Sequence, residues 1–285
     1  MIKILNNCIY FDVVGKSLSN AFYTLGIDHE VTQNISSYDS DDLYIIFTTH
    51  HLHERLPRKY ISYNFEQLIT DKDWPIEFFK RLSRAQQVWD YSLANINVLA
   101  KHAVVNVLHV PFGYSPVMDI TGLLPFKNRQ YDWLMLGAVS QFRADKLGAL
   151  VKSYTASPEK YIISNNCWGR DLERTYRDSK IGINIHYYPG NTILEVHRII
   201  PMVANRVFVV SERSNDPWYD ELFKHIVTFL PQGSNSLCGA ISVATKLLSS
   251  DAMEAELDKR QSFLKSKCSY LEFIKGSYDQ MVLKQ

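Results

Sequence analysis

The sequence predicts an α/β protein with two successive halves, and three observations lead to this expectation. Short apolar runs alternate along the chain with longer segments of helical periodicity, which is typical of parallel sheets covered by helices. The chain has 285 residues, more than one compact core usually holds. Residues 110–130 contain three prolines and two glycines and show no periodicity, so we expect a hinge there.

The first half is expected to form a parallel sheet with helices, because its apolar runs are short and are separated by amphipathic segments. These elements make a first domain over residues 1–115. Strands are expected near 2–5, 29–33, 43–49, 60–64, 86–89 and 104–110. Helices are expected near 15–25, 75–84 and 92–101.

The alternation begins again after the hinge, which predicts a second domain of the same kind over residues 128–264. The amphipathic segment 265–285 is expected to form a helix that packs back on the first domain. Strands of the second domain are expected near 132–137, 160–164, 181–186, 207–211 and 226–230. Its helices are expected near 143–154, 169–178, 192–205 and 236–249.

The composition argues against several classes of protein. Hydrophobic residues make up 46% of the chain, which predicts a folded, globular protein. The formal net charge of +1 argues against a general attraction to nucleic acid, and the four cysteines show no spacing typical of zinc sites. We find neither a signal peptide nor an apolar run of about 18 residues, so we expect a soluble, cytoplasmic protein without a membrane span.

Most sequence motifs of enzyme chemistry are missing. The chain contains no P-loop, no GxGxxG after a strand, no HExxH and no GxSxG. We interpret the histidine-rich stretch 50–55 as an irregular loop. The DSD at 39–41 precedes its strand, and we interpret it as an acidic turn. We therefore expect no metal site.

Two stretches carry a more specific pattern. In SLANINVLAKHAVVNVLHVPFGYSP (92–116), a helix that Ser92 can cap is followed by an apolar strand and a Pro-x-Gly turn. In DWLMLGAVSQFRADKLGALVKSY (132–154), a strand is followed by a polar loop with basic residues and then a helix. This arrangement resembles the GT-B glycosyltransferases of the family 4, or group 1, type. Phe112 and Ser115 replace the asparagine and aspartate of the family's turn.

The resemblance implies two Rossmann-like domains that face each other across a cleft, with a nucleotide-sugar donor held mainly by residues 137–212. In sheets of this kind ligands bind beyond the carboxyl ends of the strands. The implied enzyme is a metal-independent glycosyltransferase. It would take a nucleotide sugar, with a UDP-sugar expected, as co-substrate and would need no further cofactor.

Basic residues after the first strand of the second domain are candidates for binding the donor's diphosphate. The strand ends at Gly137, and Arg143 and Lys146 lie near the start of the following helix. A diphosphate needs charge-assisted donors, and a helix N-terminus attracts anions. Cations at that end of a helix are unfavourably placed unless an anion binds. The alternative is that both are ordinary exposed cations.

The stretch NIHYYPGNTILEVHRI matches the family's strand, loop and helix, in which a glutamate binds the ribose and backbone N–H groups meet phosphate. The resemblance implies this donor-binding role for Glu195 and for the loop residues Gly190, Asn191 and Thr192. The alternative is structural, because Thr192 to Glu195 also reads as a T-x-x-E capping box. The family often has a second glutamate eight positions earlier, where this chain has Tyr187.

Two further residues are donor-binding candidates. Asn166 and Trp168 follow a predicted strand, and the indole ring could stack on the nucleobase. A tryptophan buried in the core is the competing interpretation.

Three residues of the first domain are candidate catalytic residues. His50 follows a predicted strand where the family places the transferred sugar, and it could hydrogen-bond that sugar or transfer a proton. Glu66 and Asp90 follow the next two strands and could activate an acceptor.

The sequence leaves the acceptor and two alternative functions open. A glycan, a lipid, a protein or a hydroxylated base of phage DNA could accept the sugar. Residues 1–127 contain 11 Lys and Arg against 13 Asp and Glu, which disfavours a broadly basic acceptor domain. Arg55, Arg58 and Lys59 could still form a local basic patch. The alternatives are a non-catalytic nucleotide-sugar-binding protein and a sugar-nucleotide epimerase of the same architecture.

Overall fold

A computed structural model describes residues 1–47, 55–69, 73–153, 160–230 and 252–281. The chain divides into two compact units, Met1–Val117 with Ser269–Gln285, and Met118–Cys268. His50 and the helix predicted over 236–249 lie outside the described residues.

The first unit contains a six-stranded parallel sheet in the order β2-β1-β3-β4-β5-β6. Its strands are β1 Ile2–Leu5, β2 His29–Thr32, β3 Leu43–Ile46, β4 Tyr60–Asn64, β5 Gln87–Asp90 and β6 Val107–His109. Its first helices are α1 Asp12–Thr24, α2 Ile76–Arg84 and α3 Leu93–Lys101. The hydroxyl of Ser92 accepts hydrogen bonds from two backbone N–H groups at the start of α3, which confirms the predicted cap.

The second unit contains a five-stranded parallel sheet in the order β11-β10-β9-β7-β8. The two sheets have the same doubly wound topology, which confirms the predicted α/β fold class. The strands are β7 Tyr131–Leu136, β8 Tyr161–Ser164, β9 Ser179–Asn184, β10 Phe208–Glu212 and β11 Val227–Leu230. The helices are α4 Gln141–Ser153, α5 Gly169–Asp178, α6 Val196–Ala204, α7 Pro217–Phe223 and α8 Ala252–Lys267.

The chain ends in the first unit with α9, Tyr270–Tyr278. Tyr270 is fully buried, and its hydroxyl donates a hydrogen bond to the Tyr63 hydroxyl at 3.2 Å. Burial of this aromatic side chain against a strand of the sheet attaches α9 to the first unit.

Helix α6 differs from the helix expected over 192–205. It begins only at Val196, and Ile193 and Leu194 lie fully buried in an irregular segment before it. The helix then runs through Pro201 to Ala204, at the cost of one backbone hydrogen bond. None of the helices in the described ranges is long and apolar enough to cross a membrane.

Candidate functional site

A cluster of charged and polar side chains lies at the carboxyl ends of the central strands of the second sheet. The strand order reverses between β7 and β9, and in doubly wound sheets ligands bind at the carboxyl ends at such a point. Hydrogen bonds, ion pairs and interactions between neighbouring charges join these side chains, and we call the group the charge cluster. Its members are Arg143, Lys146, Asn184, His186, Glu195, Arg198 and Glu212.

Glu195 is the centre of the charge cluster. Its side chain is only 5% exposed. One carboxylate oxygen, Oε2, accepts hydrogen bonds from Asn184 Nδ2 at 2.9 Å and from His186 Nδ1 at 3.0 Å. The other oxygen, Oε1, lies 3.4 Å from Arg143 Nη2. The carboxylate therefore connects β9, α4 and α6 inside the second unit.

The capping-box interpretation of Thr192 to Glu195 is wrong. Glu195 occupies the N-cap position of α6, and its side chain makes no capping hydrogen bond. The backbone N–H of Thr192 donates instead to Asn215 Oδ1 at 3.0 Å. The Thr192 hydroxyl is buried and has no hydrogen-bond partner within the described part of the chain. The side chain of Glu195 therefore does not cap α6, and its hydrogen bonds are made within the charge cluster.

Arg143 is buried rather than exposed at the start of α4. Its guanidinium donates to the carbonyl oxygens of Ile185 at 2.8 Å and Ala138 at 2.6 Å, besides its contact with Glu195. Burial and the nearby charge of Arg198 together lower the pKa of Arg143 to about 10, while Glu195 opposes the shift. The group therefore stays charged at neutral pH and joins the loops after β7 and β9.

His186 is held as a doubly protonated imidazolium. Its Nδ1 faces Glu195 Oε2, and its Nε2 lies 2.9 Å from the carbonyl oxygen of Arg213. Both partners are hydrogen-bond acceptors, so both ring nitrogens have to carry protons. Burial alone would lower the pKa of His186, but the charge and hydrogen bond of Glu195 raise it.

The same neighbours keep Glu195 ionised. Burial alone would raise the pKa of its carboxyl group. The positive charges of His186, Arg198 and Arg143 outweigh burial and hold this pKa well below its usual range.

Arg198 is a member of the cluster that the sequence patterns did not identify. It lies in the first turn of α6 and is half-buried. Its Nη1 donates to Asn184 Oδ1 at 3.3 Å, and among the described residues its other guanidinium nitrogens have no hydrogen-bond partner. A cation in the first turn of a helix opposes the helix dipole, the signal that pointed to Arg143. The helix start expected at 192 placed Arg198 in the second turn, so the same signal did not point to Arg198.

The charge cluster carries a positive surplus. Lys146 forms an ion pair with Glu212, whose Oε2 also accepts a hydrogen bond from the His186 backbone N–H at 3.1 Å. Four cationic side chains therefore face two carboxylates. Buried charges without a counter-charge are costly, so the cluster is suited to an anionic ligand.

Gly137 allows the backbone after β7 to pass close to two arginines. It has a φ of +109°, and a Cβ there would lie 2.7 Å from Arg198 Nη2 and 3.4 Å from Arg143 Nη1. Any other residue at this position would be strained and would displace Arg198.

We expect Gly137→Ala to lower the free energy of unfolding by about 2 kcal/mol or more, because of its backbone strain and the contact with Arg198. Gly148→Ala is the matched control. Gly148 lies inside α4, and a Cβ at this position would have no neighbour within 4 Å, so alanine there should stabilise the protein by about 0.5–1 kcal/mol. Urea unfolding of both variants measures their free energies of unfolding. If the two substitutions change this free energy in the same direction, Gly137 is not required for the close approach of the backbone to the arginines.

The remaining donor-binding candidates lie on loops of the second unit. Gly190, with a φ of +81°, and Asn191 are exposed in the loop before α6. Asn166 is exposed after β8, and its Oδ1 accepts a hydrogen bond from Trp168 Nε1 at 3.0 Å. Trp168 is half-buried at the start of α5, so the interpretation as a fully buried core tryptophan is wrong.

In the first unit, Asp90 anchors two loops. It is fully buried, and its carboxylate accepts hydrogen bonds from Asn64 Nδ2 at 2.7 Å, the Ser92 N–H at 2.8 Å and Asn95 Nδ2 at 3.1 Å. Glu66, the second catalytic candidate, is half-buried beside this group, and its backbone N–H donates to Asn64 Oδ1 at 3.1 Å. Across the described ranges, no group of three or more His, Cys, Asp or Glu side chains is arranged to hold a metal ion.

The comparison with known proteins identifies the fold. No protein-family model matches the sequence, and no curated protein matches it. An α-glucosyltransferase solved with UDP-glucose and DNA containing an abasic site is similar in structure, with a TM-score of 0.66 and 11% identity over 100% of this chain and 99% of that chain. HepE from Anabaena, solved with UDP and glucose, gives a TM-score of 0.62 and 10% identity over 98% of both chains.

A glycosyltransferase from Rickettsia africae gives a TM-score of 0.61 and 11% identity over 100% of this chain and 98% of that chain. At such low identities the likeness concerns the fold. The chain has the two-domain α/β fold of the GT-B glycosyltransferases, which confirms the resemblance inferred from its sequence.

Proposed function

We propose that the protein is a glycosyltransferase that transfers a sugar from a nucleotide-sugar donor, a UDP-sugar, to a hydroxyl group of a glycan or of a modified DNA base. The main observation behind the proposal is the net positive charge of the charge cluster, which lies where the strand order of the second sheet reverses between β7 and β9. The fold supports it as well, since similar structures are glycosyltransferases.

The donor's diphosphate would be bound by the groups of the site that still have hydrogen-bond donors available. Arg198 has guanidinium nitrogens without a hydrogen-bond partner among the described residues, and Asn191 is exposed just before α6. Lys146, half-buried beside Glu212, supplies a further charge. Together with the N-terminus of α6, these groups would stabilise the negative charge of the departing nucleoside diphosphate without a metal ion.

Arg143, His186 and Gly137 would act by positioning the loops and Arg198. Ribose binding by Glu195 would use Oε1, since Oε2 already accepts two hydrogen bonds. Oε1 has only the 3.4 Å contact with Arg143 among the described residues, so it can accept a bond from a ribose hydroxyl.

The nucleobase would stack on Trp168, with Asn166 and the buried Thr192 hydroxyl as further donor-side groups. On the acceptor side, we propose Glu66 rather than Asp90 as the base, because three donors from the protein already occupy the Asp90 carboxylate. His50 is proposed to contact the transferred sugar.

Turnover tests the proposal and separates it from the two alternatives. The protein is incubated with UDP-, GDP- and ADP-sugars, with and without glycan and hydroxymethylated DNA acceptors. We expect release of UDP together with a glycosylated acceptor. A donor that binds but is never consumed would indicate a binding protein, and a released sugar epimer without transfer would indicate an epimerase. Either result would overturn the proposed transferase.

A further inference from the structure

Four arginines of the first unit converge on one cavity of about 340 Å³, which we call the arginine pocket. Two of them belong to the loop before β4, and two belong to the last turn of α2. The lining side chains on which the inference rests are Arg55, Arg58, Tyr60, Glu77, Arg81 and Arg84.

The arginine pocket lies at the amino ends of the strands. Tyr60 is the first residue of β4, and Arg84 is the last residue of α2, which leads into β5. Asn64 and Asp90 mark the carboxyl ends of β4 and β5, roughly 13 Å away along the strand. Within the first unit, the pocket is therefore distant from the acceptor-side residues Glu66 and Asp90.

The pocket has more positive than negative charge. Arg55 is paired with Asp39. Arg58 lies 4.0 Å from Asp41, which Lys59 approaches more closely, at 2.8 Å.

The charged residues that α2 contributes to the pocket include an arginine that forms no ion pair with the described residues. Glu77, the carboxylate of the pocket, lies 3.8 Å from Lys80. Arg84 is exposed and forms no hydrogen bond or ion pair with any described residue. At least one guanidinium in the pocket is thus available to a ligand.

Tyr60 shows that the arginines of α2 face the same wall of the pocket. Its hydroxyl donates a hydrogen bond to the backbone carbonyl of Arg81. Burial raises the pKa of Tyr60 to about 12, and the charges of Arg84 and Arg81 oppose that rise. Tyr60, Arg81 and Arg84 also line the same cavity.

The helix dipole explains only two of the four arginines of the pocket. Cations in the last turn of a helix complement its dipole, which accounts for Arg81 and Arg84 on α2. The helix dipole does not account for Arg55 and Arg58, which come from a different segment and line the same cavity. Their partners Asp39 and Asp41 are exposed carboxylates, and exposed ion pairs of this kind contribute little to stability.

We propose that the arginine pocket binds the phosphoryl group of a small phosphorylated molecule, at a site distinct from the charge cluster. Guanidinium groups match phosphate oxygens with paired hydrogen bonds, and all of the cations lining the pocket are arginines. All four arginines of residues 1–127 line this one small cavity, although the segment has more acidic than basic residues. This charge distribution favours a small ligand over a long polyanion or a membrane surface.

Titration with inorganic phosphate and glucose 6-phosphate, in the presence of saturating UDP, tests the proposal. Hydrogen exchange is followed in peptides of α2 and, separately, of α6. We expect protection of α2 that is lost, with binding about tenfold weaker or more, in the double variant Arg58→Gln, Arg84→Gln. Lys101→Gln is the matched control, because Lys101 is also an exposed final residue of a helix in the first unit, and it should bind like the wild type.

Three outcomes would overturn the proposal. Protection could appear only in α6, binding could weaken equally in Lys101→Gln, or DNA or anionic vesicles could protect α2 while the small phosphates do not. If the double variant fails to fold, Arg84→Gln alone decides, since Arg84 is exposed and has no partner to lose among the described residues. The test does not require glycosyltransferase activity, so its failure is distinguishable from failure of the proposed function.

Discussion

Replacing Arg143 by methionine is expected to lower the free energy of unfolding by about 3 kcal/mol. The change removes the guanidinium that joins Ala138, Ile185 and Glu195, and it leaves the buried carbonyl oxygen of Ile185 and the partly buried one of Ala138 without these donors. Arg143→Lys should restore little of the loss, because one ammonium group cannot reach three acceptors in the geometry of the guanidinium fork. Urea unfolding at neutral pH, with hydrogen exchange in β7 and β9, measures the effect.

Lys152→Met is the control for this prediction. It removes an exposed cation from the same helix, α4, and should change stability by no more than about 0.5 kcal/mol. If Arg143→Met is no more destabilising than Lys152→Met, the charge cluster does not hold the second unit together in the way its geometry indicates.

Replacing Arg198 by glutamine is expected to weaken UDP binding by about 10- to 100-fold, since a hydrogen bond to a charged group contributes about 1.5–3 kcal/mol. Stability should change far less than in Arg143→Met, because Arg198 is half-buried and makes one hydrogen bond, to Asn184. Isothermal titration with UDP and with uridine separates the contribution of the diphosphate to binding from that of the nucleoside. Binding of uridine should be nearly the same in the variant and in the wild type.

Lys259→Gln is the control here, because Lys259 is a well-exposed cation of the second unit on α8. Its affinity for UDP should equal that of the wild type. The phosphate role of Arg198 is refuted if both variants bind UDP equally well, or if Arg198→Gln weakens uridine and UDP by the same factor.

The architecture was largely predictable because it depends on local patterns. Apolar runs of strand length and amphipathic segments between them predicted both sheets, and Ser92 predicted the start of α3. The start of α6 was not predictable in this way. The T-x-x-E pattern at Thr192 indicates a helix start, but Ile193 and Leu194 lie buried in an irregular segment and the helix begins only at Val196.

The candidate site was only partly predictable. Arg143 and Glu195 were identified from sequence, and the structure brings them together in one cluster. Both were expected to contact a bound donor, but in the structure both side chains are buried and hydrogen-bonded to other groups of the protein. Asn184, His186 and Arg198 lie within the same stretch, NIHYYPGNTILEVHRI, but were not identified, because the resemblance implied roles only for Glu195 and the loop residues before it.

The sequence by itself determined the two α/β halves, because hydrophobic periodicity is a property of neighbouring residues. Only the tertiary structure decided which charges meet. Arg143 and Glu195 are 52 positions apart, and the two residues approach each other only because parallel strands place their carboxyl ends side by side. The guanidinium of Arg143 is bonded to other groups of the protein, whereas that of Arg198 has nitrogens that can still bind a ligand. This difference depends on residues distant in sequence, which no local pattern specifies.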